Sequence, residues 1–177
     1  MRIISGSHKG RRIIAPKSLP VRPTTDRAKE ALFNILQHRI DLYEVKALDL
    51  FSGIGSISFE LSSRGCPDIT SVDKHFGCIR FISETTEKLG LDGIHTVKSD
   101  VFQYLDRTSA RFDFIFADPP YDLLKSDVLA EEILEKGLLN EKGLLIIEHS
   151  EEEDLSACTG FTEHRRYGQV NFSIFEL

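Results

Sequence analysis

The chain has 177 residues, 41% of them hydrophobic, and a net charge of −6. That length suits one domain with a sizeable core. The apolar content excludes a chain disordered throughout, and no run approaches the roughly 20 apolar residues of a membrane span. The total charge conceals a division. Residues 1–46 hold ten Lys and Arg against four acids, net +6, whereas residues 47–177 hold 12 against 24, net −12. A split of that size points to an anionic partner for the basic part, nucleic acid or a membrane surface. Cys66, Cys78 and Cys158 are odd in number and form no CxxC, so neither a disulfide framework nor a metal site is expected. A reducing cytoplasm is the expected location. No apolar run follows the basic N-terminus, so no secretory signal is expected either.

In chain order, the β-branched runs 2–5 and 11–15 around Ser7-His8-Lys9-Gly10 predict a hairpin. Pro16, Pro20 and Pro23 predict an extended connector. Thr25 is placed to cap a helix over 26–39, with Ala28, Leu32, Ile35 and Leu36 on one face. From residue 46 short apolar runs (46–51, 69–73, 94–98, 112–117, 143–149) alternate with helical stretches (55–64, 76–89, 101–107, 125–137). That alternation predicts an α/β fold with a mostly parallel sheet. The runs 161–167 and 169–177 around Gly168 predict a closing antiparallel hairpin. Glu151–Asp154 reads as a solvated helix start. The division predicted is a basic appendage over 1–45 and a catalytic domain over 46–177.

Ligands of such sheets bind at the carboxyl ends of the strands. The loop after the first strand, Ser52-Gly53-Ile54-Gly55, lets the backbone turn sharply and approach a ligand. With Ser58 at the third small position it matches the dinucleotide fingerprint only in part. Asp49, inside that strand, would repel a pyrophosphate and attract an ammonium or sulfonium. Asp73 ends the second strand, where an acid accepts from ribose hydroxyls. Asp100 follows the third and can accept from an adenine amino group. Three acids at successive strand ends suit S-adenosylmethionine better than NAD, although Asp73 and Asp100 could instead cap the helices that follow.

Asp118-Pro119-Pro120-Tyr121 follows the fourth strand. The two prolines freeze an extended backbone. Asp118 and the Pro119 carbonyl can each accept one N–H of a planar exocyclic amine, and Tyr121 can stack on its base. Holding both N–H groups aims the nitrogen lone pair at an electrophilic methyl, so acceleration comes from alignment and electrostatics. The histidines show no metal-ligand spacing.

The segments DLFSGIGSISFE (49–60), VDKH (72–75), SDVFQYL (99–105) and FADPPY (116–121) resemble the ordered motifs of class I S-adenosylmethionine-dependent methyltransferases. RIISGSHKGRRIIAP, RPTTDRAKEALFNIL (22–36) and RRYG (165–168) narrow the resemblance to the bacterial 16S rRNA guanine-N2 methyltransferases of the RsmD family. The resemblance implies a Rossmann-like, seven-stranded sheet with a C-terminal antiparallel hairpin. It implies that Gly53 and Gly55 lie against the methionine part of the cofactor and Asp49 near its amino group. Asp73 would hold the ribose and Asp100 the adenine, with Phe51, Ser52, Lys74 and Val101 completing the cofactor set. Asp118, Pro119, Pro120 and Tyr121 would form the acceptor site. The implied reaction is methylation of N2 of one guanine of 16S rRNA, position 966 in the family's numbering, in an assembling small subunit, by a monomer. The chain departs from the family's usual pattern at Ser52, Ser58 and Asp73.

The basic candidates for phosphate contacts are Lys9, Arg11, Arg12, Arg22, Arg27 and Lys29, with Thr25 at the helix start beside them. Binding through them would weaken steeply with salt. Rival readings are a DNA or RNA adenine-N6 methyltransferase, which shares DPPY; a protein-glutamine methyltransferase, which usually has Asn at position 118; and an NAD-dependent oxidoreductase, against which Asp49 argues.

Overall fold

A computed structural model of the chain describes residues 1–21, 24–120 and 126–177. The first strand, β1 (Lys46–Leu50), is buried from Ala47 onward. Such all-round burial is the mark of a central parallel strand covered by helices on both faces. Helices and strands then alternate: α2 (Ser56–Ser63), β2 (Asp68–Asp73), α3 (Phe76–Leu89), β3 (Ile94–Lys98), α4 (Val101–Arg107), β4 (Phe112–Ala117), α5 (Ser126–Glu135) and β5 (Leu139–His149). An antiparallel pair, β6 (Phe161–Tyr167) and β7 (Val170–Glu176), closes the sheet.

The seven strands run in the order β3-β2-β1-β4-β5-β7-β6, with β7 antiparallel to β5. The order reverses between β1 and β4, which opens a crevice at their carboxyl ends. Alternate residues of each strand feed two cores. On one face Ala47, Ile69, Phe114, Phe116, Leu144 and Ile146 pack with Leu32, Phe33 and Leu36 of the N-terminal helix α1 (Asp26–Leu36) and with Ile57 and Leu61 of α2. On the other, Leu48, Val72, Ile115, Leu145 and Ile147 pack with Leu105, Leu129 and Ile133. Each such buried side chain contributes on the order of 1.5–3 kcal/mol. The basic segment therefore lends a helix to the first core, and its hairpin buries Ile3 and Ile13 in a third, smaller cluster with Phe59, Ile82 and Leu91.

Helix α1 begins where its sequence indicates: Thr25 Oγ1 accepts from Ala28 N at 3.2 Å. Its direction is fixed by Arg39, just beyond its end, which pairs with Glu163 and Glu176. Glu176 lies opposite Leu144, which pairs with Phe114 near the amino end of β4. The N-terminus of α1 therefore points toward the carboxyl ends of the parallel strands, where the crevice lies.

The first hairpin forms as expected: Arg2 pairs antiparallel with Arg12, and Ile3 N bonds Arg11 O at 3.0 Å, Gly10 N bonds Ile3 O at 2.9 Å and Ile13 N bonds Met1 O at 3.0 Å. Its turn is fastened to the main domain, where Ser7 N donates to Ser63 O at 2.7 Å and a ring nitrogen of His8 contacts Leu89 O at 2.9 Å. Three other expectations need correction. Helix α1 stops at Leu36, its last turn tightening as Arg39 N bonds Leu36 O. Strand β5 starts four residues earlier than the apolar run, passing a register shift near Lys142, whose φ is 62°. Residues 151–154 form no helix; Glu153 instead accepts from Ser126 N and Oγ at 2.7 and 3.0 Å, satisfying the start of α5.

Candidate active site

The loop between β1 and α2 needs backbone freedom at specific points. Phe51, Gly53 and Gly55 have φ of 57°, 52° and 77°. A Cβ at Gly55 would lie 2.8 Å from Ile82 and 3.1 Å from Phe59, so that glycine serves packing as well as the turn. Gly53 is different: the nearest atoms to a Cβ there belong to Val21, 3.8 Å away. Its side is open, under the connector, which does not run extended as expected but turns over 17–20, Leu19 N bonding Pro16 O at 3.2 Å. The Ser52 and Ser56 hydroxyls are buried beside it without a hydrogen-bond partner among the described residues.

Three acids surround this loop in distinct ways. Asp73 Oδ2 accepts from Gly53 N at 2.8 Å, and its Oδ1 from His75 N at 2.7 Å, so it holds the loop in place. Asp49 is buried and its Oδ2 accepts from Ser58 N at 3.1 Å and from Ser58 Oγ. Ser58 Oγ in turn meets Ser71 Oγ at 2.6 Å. The serine that replaces the third glycine is thus wholly buried and fastens Asp49. Burial pushes the Asp49 carboxyl up to about 7, against the Ser58 bonds that lower it, with Asp118 and Asp73 raising it further. A carboxylate in that condition gains from a cation placed near it. Asp100 is exposed and caps α4, accepting from Phe102 N at 3.0 Å and Gln103 N at 3.3 Å through Oδ1. Capping is therefore part of its role. Val101 is buried in the first turn of α4 against the second core, and Lys74 is exposed.

The second half of the crevice lies at the end of β4. Asp118 follows Ala117 and leads into Pro119, which is buried, and Pro120, which is exposed. Burial pushes the Asp118 carboxyl up to about 6. Ala117 pairs with Ile147, so the next residue of β5, Glu148, stands beside Asp118. Glu148 is 7% exposed and its Oε2 has no partner among the described residues. Burial first, then the Asp118 charge, pushes its carboxyl up to about 8. Asp49, Asp118 and Glu148 each continue the alternation that puts Ala47, Phe116 and Ile146 in the first core, so all three belong to the α1 face of the sheet. Glu148 was not singled out in the sequence. Its signal was an acid ending the apolar run LLIIE, the same rule that drew attention to Asp73.

This arrangement can hold a cation beside a glycine loop and an amine donor at the neighbouring strand end. The family model described as "Conserved hypothetical protein 95" matches residues 1–176. The chain belongs to this family, the RsmD family. The "Putative rRNA methyltransferase YlbH" of Bacillus subtilis is 34% identical over 99% of this chain and 98% of that protein. The "Ribosomal RNA small subunit methyltransferase D" of Escherichia coli K12 is 28% identical over 99% and 89%. The solved structure of "Putative methyltransferase yhhF" from Escherichia coli superposes with a TM-score of 0.85 at 26% identity, over 99% of this chain and 96% of that one. The fold is that of the class I S-adenosylmethionine-dependent methyltransferases.

Seen as an RsmD-family site, the crevice fits the cofactor that the family implies. Gly53 leaves open space, Ser52 and Ser56 have hydroxyls in want of partners, and Asp49 is an acid in want of a cation. Tyr121, the expected stacking residue, and Arg22 lie outside the described residues.

The basic candidates divide. Lys9, Arg11, Arg12 and Arg27 are exposed, as is Thr25. Lys29 is not: it is 1% exposed, its Nζ donating to Arg2 O and lying 3.5 Å from Glu60 Oε2. That corrects its assignment as a phosphate contact, because a lysine on the buried face of α1 must take a protein partner. The hairpin turn lies away from the carboxyl strand ends that carry Asp118. It is fastened to Ser63 and Leu89 at the C-terminal ends of α2 and α3, which lead into the amino ends of β2 and β3. The connector returns to the crevice, bringing Leu19 over Gly77 and Val21 over Gly53.

Proposed function

We propose that this protein transfers a methyl group from S-adenosylmethionine to N2 of one guanine of 16S rRNA, guanine 966 in the family's numbering. The observation that carries the reading is the placement, on the two sides of the β1/β4 crossover, of an open glycine loop with a buried acid and of the Asp118-Pro119 acceptor pair. The names of its relatives, an rRNA methyltransferase and a small-subunit rRNA methyltransferase, support the RNA substrate. Adenine N6 would also fit the acceptor pair; the family resemblance favours guanine.

When bound, S-adenosylmethionine would supply an electrophilic methyl group carried on a sulfonium. Gly53 and Gly55 would let it approach the backbone, Asp49 would compensate its positive charge, and Asp73 and Asp100 would accept from its ribose and adenine. Asp118 and the Pro119 carbonyl each accept one N–H of the guanine amine, which turns the nitrogen lone pair toward the methyl carbon. Positive charge would grow on N2 as it takes up the methyl group, and the Asp118 carboxylate would stabilise that charge. Asp118 then takes the proton that N2 sheds. A carboxyl raised to about 6 is a more capable acceptor for that proton than an ordinary aspartate. Tyr121, by its place in DPPY, is assigned stacking on the base.

The exposed Arg12, Lys9, Arg11 and Arg27 would bind phosphates, giving residues 1–45 the RNA-contacting role, with the RNA presented on an assembling small subunit. A cytoplasmic monomer suffices for this reaction. The test offers purified protein labelled S-adenosylmethionine with 16S rRNA, small-subunit particles and DNA duplexes. Label in N2-methylguanosine of the rRNA is expected; label in adenine, or in DNA alone, would overturn the reading.

A further inference from the structure

We propose that Glu148 is a specificity-determining residue of the acceptor site: its carboxylate accepts the N1–H of the target guanine while Asp118 accepts an N–H of the adjacent N2. The proposal rests on the guanine-N2 reading and deepens it. Two structural facts carry it. Glu148, the penultimate residue of β5, lies directly beside the end of β4, on the same face as Asp118, and neighbouring strands lie only about 4.8 Å apart. It is also 7% exposed with an oxygen that no described residue satisfies. A buried acceptor without a donor costs free energy and persists where a ligand supplies the donor.

The chemistry of the bases says which ligand that is. Guanine presents two neighbouring donors, N1–H and the N2 amine. Adenine presents its amine beside N1, which is an acceptor. Two carboxylates side by side offer acceptors to both guanine donors, whereas adenine would set its N1 lone pair against one of them. A site built to hydrogen-bond a particular edge rejects an analogue that leaves its buried groups unpaired.

The same juxtaposition predicts a proton inventory. Two close carboxyls do not both ionise easily. Asp118 faces Glu148 from β4, and Asp49 lies one strand further on β1. From β7 the residue opposite is Phe172, which carries no charge. On α1, Lys29 is engaged by Glu60 and Asp26 by Arg2, while Arg27 is exposed. The empty site thus retains a proton near neutral pH, and guanine binding expels it.

The experiment measures kcat/KM for small-subunit particles from a strain lacking this gene, across about pH 6 to 9, since that ratio reports the free enzyme's titrations. The wild type should rise with pH in two limbs. Glu148→Gln keeps an acceptor oxygen but cannot titrate, so it should stay within roughly tenfold of wild type and lose the upper limb. Glu148→Ala should fall by roughly a hundredfold. In particles carrying 2,6-diaminopurine at the target, which keeps the N2 amine but makes N1 an acceptor, the wild type should discriminate strongly above about pH 8, where Glu148 is ionised, and less below it, where the retained proton can be donated to N1. Glu148→Gln should discriminate less, because its amide can donate to N1. Wild-type behaviour of Glu148→Ala on guanine, an upper limb that survives in Glu148→Gln, or equal discrimination by both forms would overturn the proposal. If the wild type makes N2-methylguanosine while these variants match it, the role of Glu148 alone fails. A product other than N2-methylguanosine would remove the guanine reading and this inference with it.

Discussion

Two buried glutamates show how differently this protein treats the same side chain. Glu60, on α2, is fully buried and surrounded by donors: Ile4 N at 2.8 Å, Ser5 N at 2.9 Å, Arg64 Nε at 2.9 Å and Lys29 Nζ at 3.5 Å. It pins the N-terminal strand and α1 to the main domain. Glu148 is almost as buried, yet one of its oxygens has no donor among the described residues, and the charge that acts on it is that of another acid, Asp118. Burial therefore does not separate structure from function here. The supply of donors does: Glu60 is complete within the fold, and Glu148 is completed by a ligand.

The contrast can be broken from either side. The largest effect is expected at the acceptor pair. Asp118→Ala should lower turnover by about 10³-fold or more while calorimetry still finds S-adenosylmethionine binding, because the glycine loop and Asp49 are untouched. Retained turnover would remove Asp118 from the chemistry. On the structural side, Glu60→Ala leaves the Lys29 ammonium buried without its acid. It should cost about 3–5 kcal/mol in urea unfolding, with kcat/KM preserved in conditions where the variant is folded. A loss of activity without loss of stability would place Glu60 in the site instead.

The pH dependence of stability sharpens the comparison further. The folded-state value of Glu148, about 8, lies above that of an unfolded glutamate. Between those values the folded state holds the extra proton, so stability is greatest at the acid end and declines as pH rises toward and through about 8. Asp49 and Asp118, raised to about 7 and about 6, add to the same decline. Thermal unfolding of Glu148→Gln should show a shallower fall across that window, and an unchanged profile would mean that Glu148 does not hold the proton. The smallest effect is expected at the surface: Arg12→Ala should weaken rRNA binding modestly and reduce the salt slope by about one. An unchanged slope would free Arg12 from phosphate contact.

Much of this site was legible in the sequence because its parts are local. A glycine loop follows a strand, acids end strands, and two prolines hold an aspartate, all within a few residues of one another. The strand–helix alternation likewise fixed which loops gather at one edge. What escaped were relations between distant segments. The burial of Lys29 follows from its place beside Leu32 and Phe33 on α1, but its partner lies 31 residues away on α2. The course of the hairpin depends on bonds to Glu60, Ser63 and Leu89, which no periodicity encodes. Glu148 came within reach of the strand-end rule, yet its meaning depends on β5 lying next to β4, a neighbour relation that sequence spacing leaves open.

The central claim, methylation of a guanine amine of 16S rRNA at the Asp118 site, is tested most directly by mass mapping of 16S rRNA nucleosides from a strain lacking this gene. One N2-methylguanosine should disappear, return with the wild-type protein and stay absent with Asp118→Ala. An rRNA whose N2-methylguanosine is unchanged by loss of the gene would contradict the account.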